Sequence, residues 1–218
     1  MNEELEIRSF KIELRADGTN PPRIEGYAAT FNALSEQMWG FREMIEPGFF
    51  DDVLADDARA LFNHDRNFVL GRKANGTLDM EQDGTGLRVN IDPPQTQLIN
   101  DLVLTPMKRG DINQMSFAFT VKPDGDDWRD ENGQLVRVLK KGGALRLYDV
   151  SVVTEPAYPQ TSAQVRSKVE SMREQKTDQA ASGGAEDLKV RNAMRRRALD
   201  LTELKIKNQK GVRSHERT

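Results

Sequence analysis

Gln114-Met115-Ser116-Phe117-Ala118-Phe119-Thr120-Val121 is the stretch on which the fold turns. Met115, Phe117 and Phe119 alternate with Ser116 and Ala118. That is the period-two pattern of a strand with one bulky apolar face and one small, partly polar face. Such a strand needs neighbours, and the sequence supplies them on both sides. Downstream, Gln134 to Leu139 and Leu145 to Thr154 read as strands, the second an apolar run interrupted by Asp149. Upstream, Thr77 to Glu81 and Leu87 to Ile91 alternate well and are bounded by Asn75-Gly76 and Asp83-Gly84, both strong turn signals. Ala58 to Asn63 predicts a strand ending at His64-Asp65, Leu5 to Leu14 and Arg23 to Phe31 predict two more, and Phe41 to Ile45 is a short apolar stretch stopped by Pro47-Gly48.

Helices are expected to be few. Thr96 to Arg109 has Leu98, Ile99, Leu102 and Val103 on one side, a defect at Pro106 and a stop at Gly110. Phe49 to Asp57 predicts a short helix behind Pro47-Gly48. The acidic connection from Pro123 to Gly133 is expected to be a mobile loop. The fold class is therefore mainly β with flanking helices.

Composition bounds the function. The 218 residues allow one ordinary domain and an extension. There is no cysteine, which excludes a disulfide scaffold, a thiol nucleophile and Cys-ligated zinc. No apolar run is long enough to span a bilayer, and the acidic start lacks the design of a secretory signal, so a membrane is not an expected partner. The cytoplasm of a host cell is the default compartment. Only two histidines occur, His64 and His215. A multi-histidine metal site is thus not expected, nor is any cofactor, and imidazole chemistry in the folded region falls to His64.

Charge divides the chain. Acids outnumber bases over residues 1–164, and bases outnumber acids over 165–218, a tail without aromatic residues. A core cannot easily be buried by such a segment. We expect a folded domain at 1–164, then a polar linker and a basic helical tail at 165–218. Val190, Met194, Ala198, Leu201 and Leu204 would form one apolar stripe along that helix. The bland reading is a solvated helix. A docking segment is the preferred functional one, because a stripe offers a partner something to bury. Removal by self-cleavage is another possibility, as is nucleic-acid binding through Arg195-Arg196-Arg197. The missing aromatics argue against base stacking, and nucleic acid is not an expected partner.

Three residues suggest chemistry when read together: His64 at a strand end, Ser116 within a strand, and Asp149 inside an apolar run. A serine hydroxyl needs a base to become a nucleophile, imidazole titrates near neutrality, and a third group fixes the tautomer. Taken singly, each has a bland reading: a capping histidine, a small polar filler, or a hydrogen-bonded structural acid.

Five segments in order resemble a known family. They are Pro47-Gly48-Phe49-Phe50, Leu61-Phe62-Asn63-His64-Asp65, Leu70-Gly71-Arg72, Met115-Ser116-Phe117-Ala118-Phe119, and Asp149-Val150-Ser151-Val152-Val153-Thr154-Glu155-Pro156-Ala157-Tyr158. Together they look like the motifs of the prohead proteases of tailed bacteriophages, which are similar to the herpesvirus assemblins. The resemblance covers roughly residues 5–165. It implies a closed or nearly closed β-barrel, a serine endopeptidase with Ser116 as nucleophile and His64 as base, and no cofactor. Asp149 matches a position where phage members often carry an acid, with Glu155 and Asp65 as alternatives. Backbone N–H groups of the turn Glu155 to Pro159 would supply the oxyanion donors. The implied substrates are the scaffold, or a scaffold-like segment of the major capsid protein, and the protease itself, inside the assembling prohead in the host cytoplasm. Self-association could then act as the trigger. The competing reading keeps the fold but makes the chain an inactive assembly protein.

Overall fold

The strand expected at 114–121 forms with those bounds, and its large side chains decide where the core lies. The computed structural model describes residues 4–11, 15–16, 22–155 and 165–175. Its strands are β1 (Glu6–Lys11), β2 (Arg15–Ala16), β3 (Ile24–Thr30), β4 (Phe41–Ile45), β5 (Arg59–Phe62), β6 (Asp65–Arg72), β7 (Leu78–Gln82), β8 (Gly86–Ile91), β9 (Gln114–Val121), β10 (Asp126–Glu131), β11 (Gln134–Leu139) and β12 (Ala144–Val153). They make a five-stranded sheet in the order β1-β9-β12-β5-β6, a three-stranded sheet β10-β11-β4 and a four-stranded sheet β2-β3-β8-β7. The fold is mainly β, with a little helix.

Met115, Phe117 and Phe119 point from β9 into one core shared by all three sheets. Phe49 and Phe50 meet them edge to face, with ring centroids 5.7 Å apart for Phe49–Phe119 and 5.3 Å for Phe50–Phe117. Each such ring contributes roughly 1.5–3 kcal/mol by leaving water.

The implied closed barrel is not what forms; the sheets are open. β1 and β6 end the five-stranded sheet, and no hydrogen-bonded ladder among the described residues continues it into the other two. At the β6 end, a 3-10 turn (Lys73–Asn75) turns the chain sharply towards β7. The backbone crosses itself closely there, since a Cβ on Gly71 would stand 2.4 Å from the Thr77 carbonyl oxygen. At the β1 end, side-chain ion pairs rather than a ladder bridge to the three-stranded sheet.

Three local expectations also change. Residues 49–55 form successive turns, not a helix, with Asp51 N–H donating to Gly48 O and Val53 N–H to Phe50 O. Gly48 at φ 87° sets their start. The helix near 96–109 splits into α1 (Gln97–Ile99), a π-helical stretch (Asn100–Leu104) and α2 (Thr105–Arg109). Pro106 lacks an N–H and its ring crowds the carbonyl of Leu102, so the turn before it widens. The widening leaves Leu98 60% exposed and buries Leu104 and Met107 instead. Finally, the acidic connection contains β10, paired with β11 around Asn132-Gly133. Both turn residues have positive φ, and the Trp128 ring packs at a tilt against Phe41, centroids 5.0 Å apart.

Five charged side chains lie at the junction between β1 and the three-stranded sheet. Arg8 pairs with Glu6 at 2.5 Å and Glu43 at 2.6 Å. Arg137 pairs with Glu6 at 2.6 Å, Glu43 at 3.0 Å and Asp126 at 2.7 Å. Glu6, Arg8, Glu43 and Arg137 are buried. Burial alone would raise the Glu6 carboxyl, but Arg8 and Arg137 outweigh it and hold that group below its ordinary value. Burial would likewise lower Arg137, and Glu43 and Glu6 reverse that, keeping it charged.

The chain divides into two units, Met1–Ser167 and Lys168–Thr218. Of the second, residues 168–175 are described, and they are helical. The expected polar linker and the stripe from Val190 to Leu204 lie outside the described residues. No helix among the described residues is long and apolar enough to cross a membrane.

Removing one member of the buried cluster should be costly, because it strands the others. Glu43→Gln is expected to lose about 3–5 kcal/mol, read as a lower urea midpoint. Glu6 adds a pH signature. Its folded pKa lies below the unfolded 4.5, so the unfolded chain takes up that proton first as pH falls. Its stabilisation is complete above that value and is lost as pH drops through it. The acid-side decline of the midpoint should therefore be shallower in Glu6→Gln.

Candidate active site

His64 owes its position to a two-residue turn. β5 and β6 are antiparallel, with Phe62 opposite Asp65, which leaves Asn63 and His64 as the turn. Both have positive φ, 53° and 57°, the type I′ geometry that suits a right-twisted hairpin. Asparagine and histidine are among the few non-glycine residues found there, and the surroundings hold the turn. Asn63 supplies that hold. Its N–H donates to Val152 O at 2.9 Å, and its Oδ1 accepts from Thr154 N–H at 3.0 Å. The turn is thus tied to the end of β12.

Ser116 and Asp149 come from neighbouring strands. In the β9–β12 ladder Ser116 lies opposite Ser151, and in β1–β9 it lies opposite Ser9, so three serines line one face across three strands. Asp149, two residues before Ser151, points to that same face. A register shift between Leu147 and Asp149 locally bends β12 there.

The imidazole joins the two strands. His64 Nδ1 lies 2.7 Å from Asp149 Oδ1, and Nε2 lies 2.7 Å from Ser116 Oγ. With the Nδ1 proton donated to the carboxylate, Nε2 is left as the acceptor for the Ser116 hydroxyl. Ser151 Oγ donates to Asp149 Oδ1 at 2.7 Å and lies 3.2 Å from His64 Nδ1. Ser116 Oγ has a second acceptor in Arg8 O at 2.9 Å. The Ser116 side chain is fully buried, while those of His64 and Asp149 are 15% and 13% exposed. The arrangement can move a proton from hydroxyl to imidazole and stabilise the resulting imidazolium, the demand of nucleophilic acyl transfer.

All three residues singled out in the sequence thus come together. The two alternative acids do not. Asp65 Oδ1 caps Asn67 N–H at 2.8 Å, and Glu155 is exposed at the end of the described segment. The turn expected to donate to an oxyanion runs from Glu155 into residues outside the described set. Sequence reasoning gave no role to Ser151 or Asn63. Ser151 could have been found from its spacing of two from Asp149, and Asn63 from its place beside His64 between two strands. Among the described residues no group of His, Asp or Glu could hold a metal ion.

Residues 9–176 match the family model described as caudovirus prohead serine protease. No curated protein and no solved structure matches the chain.

The His64–Asp149 contact has a direct spectroscopic readout. The Nδ1 proton should give one imidazole resonance well downfield of the amides. Asp149→Ala should remove it and Ser116→Ala should leave it in place; an Asp149→Ala spectrum that keeps it contradicts the pairing.

Proposed function

We propose that this chain, which belongs to the caudovirus prohead serine protease family, is an endopeptidase that cuts scaffold, or the scaffold-like segment of the major capsid protein, and also itself, inside the assembling shell. The observation that carries the reading is the pair of 2.7 Å contacts joining Ser116, His64 and Asp149. In this mechanism Ser116 Oγ attacks the scissile carbonyl and its proton passes to His64 Nε2. The same proton then goes to the leaving amine, and a water activated by His64 hydrolyses the acyl-enzyme. Asp149 keeps the imidazole in the required tautomer and stabilises its charged form. Ser151, donating to Asp149, is a positioning residue that orients the carboxylate.

The buried hydroxyl of Ser116 fits an enzyme that stays weak while dilute. Crowding inside a shell raises the effective concentration of substrate and of other copies, and favours productive encounters there. The family serves capsid maturation, so the capsid and scaffold proteins are the natural partners. The tail at 165–218 is assigned to docking into the shell.

Co-expression with the capsid and scaffold proteins, followed by mass spectrometry of the particles, tests the proposal. Ser116→Ala should fold normally and lose trimming by a factor on the order of 10⁶. Asp149→Asn should keep the geometry but lose about 10⁴-fold through the wrong tautomer. Normal trimming by Ser116→Ala would leave the inactive assembly protein as the better account.

A further inference from the structure

The face that carries Ser116 and Asp149 continues across β5 to β6. Asp149 lies opposite Arg59, Ser151 opposite Leu61, and Leu61 opposite Val69. A cleft of about 640 Å³ opens over this part of the sheet, lined by Arg59, Leu61, Arg66, Val69, Arg146 and Asp149 among others. It therefore begins at the carboxylate that holds His64.

The shape of β12 is what makes the cleft. Four consecutive residues, Arg146 to Asp149, all line it. A regular strand presents only alternate residues to one side. Register shifts at Ala144/Arg146 and Leu147/Asp149 bracket the segment and break its regular pairing with β9, while Leu147 keeps its side chain in the core.

The charges there are unevenly committed. Asp149 serves His64 and Ser151. Asp56 accepts from Leu147 N–H at 2.9 Å. Asp57 is taken by Arg72 at 2.5 Å, with Arg59 leaning on it from 4.0 Å. Arg66 and Arg146 face no carboxylate within 4.0 Å among the described residues, and Arg146 is steadied over the Tyr148 ring at 4.7 Å. The 40% exposed Val69 adds an apolar surface, while Leu61 and Leu147 are buried beneath it. Two guanidiniums without a carboxylate within 4.0 Å among the described residues, beside the exposed Val69 and next to Asp149, match an aliphatic side chain that ends in a carboxylate.

We propose that this cleft is a specificity subsite for an acidic side chain, aspartate or glutamate, of the substrate polypeptide near the scissile bond. The proposal rests on the peptidase reading above and deepens it by naming what the substrate must carry. Arg66 and Arg146 bind that carboxylate and take no part in proton transfer.

The test digests a proteome-derived peptide mixture with the full chain, concentrated and crowded with an inert polymer to match the shell interior, and maps new termini by mass spectrometry, with Ser116→Ala as the blank. Acidic residues should be enriched at one fixed position flanking the cuts. The R66A/R146A double variant should lower kcat/KM on an acidic peptide about tenfold. R66K/R146K should keep the preference, and R66E/R146E should turn it towards lysine and arginine, a gain that misfolding cannot imitate. If the reversal variant fails to fold, R66A alone must weaken the enrichment. Cuts without acidic enrichment, or enrichment equal in wild type and R66A, overturn the subsite and leave the peptidase standing. No cut above the Ser116→Ala blank overturns the peptidase reading and the subsite with it.

Discussion

β1, the strand beside Ser116, is held to the three-stranded sheet by charge. It is an edge strand of six residues, and an edge has a ladder on one side only. The guanidinium of Arg8 reaches off that edge to Glu43 on β4, while Glu6 reaches to Arg137 on β11. Two sheets that share no ladder are thereby fixed to each other by groups that cannot be exposed singly without stranding the rest. Hydrophobic residues of similar volume could pack as tightly, but they would slide. Bidentate arginine–carboxylate pairs specify one register.

The triad draws on two kinds of support. Ser116 and Asp149 inherit their precision from the ladder of β9 and β12, where adjacent strands set side chains a fixed distance apart. His64 has no ladder of its own. It stands in a turn of left-handed backbone, and Asn63 clamps that turn to β12. Rigid strands thus carry the nucleophile and the acid, while a strained hairpin tip carries the base.

Much of this was legible in the residues. Period-two alternation marked β1, β7, β8 and β9, and an apolar run marked β12. The asparagine–glycine and aspartate–glycine pairs marked turns for a steric reason that holds in any context. What could not be read depended on distant partners. β10 is acidic and looks like a loop; it pairs because Trp128 finds Phe41, far back in the chain, and Asp126 finds Arg137 across the hairpin. Residues 49–55 have a helical apolar pattern, yet their apolar side chains are buried just as well by turns. Barrel closure was inferred from likeness alone. Whether a sheet closes is set by its edges, and here an ion cluster and a sharp turn occupy them. For the site, the residue types and their order were visible, and the choice among Asp149, Glu155 and Asp65 needed coordinates.

Ser116 has one hydroxyl hydrogen and two waiting acceptors, the His64 ring and the Arg8 carbonyl. While the ring is neutral, the hydrogen can go to it. Once the ring is protonated, Nε2 becomes a donor, and the hydroxyl can rotate its hydrogen to the main chain while accepting from the ring. A sealed-off hydroxyl is thus never left orphaned, whichever ionisation state its neighbour adopts. The strand that braces two sheets through its guanidinium also offers the idle nucleophile a berth through its backbone.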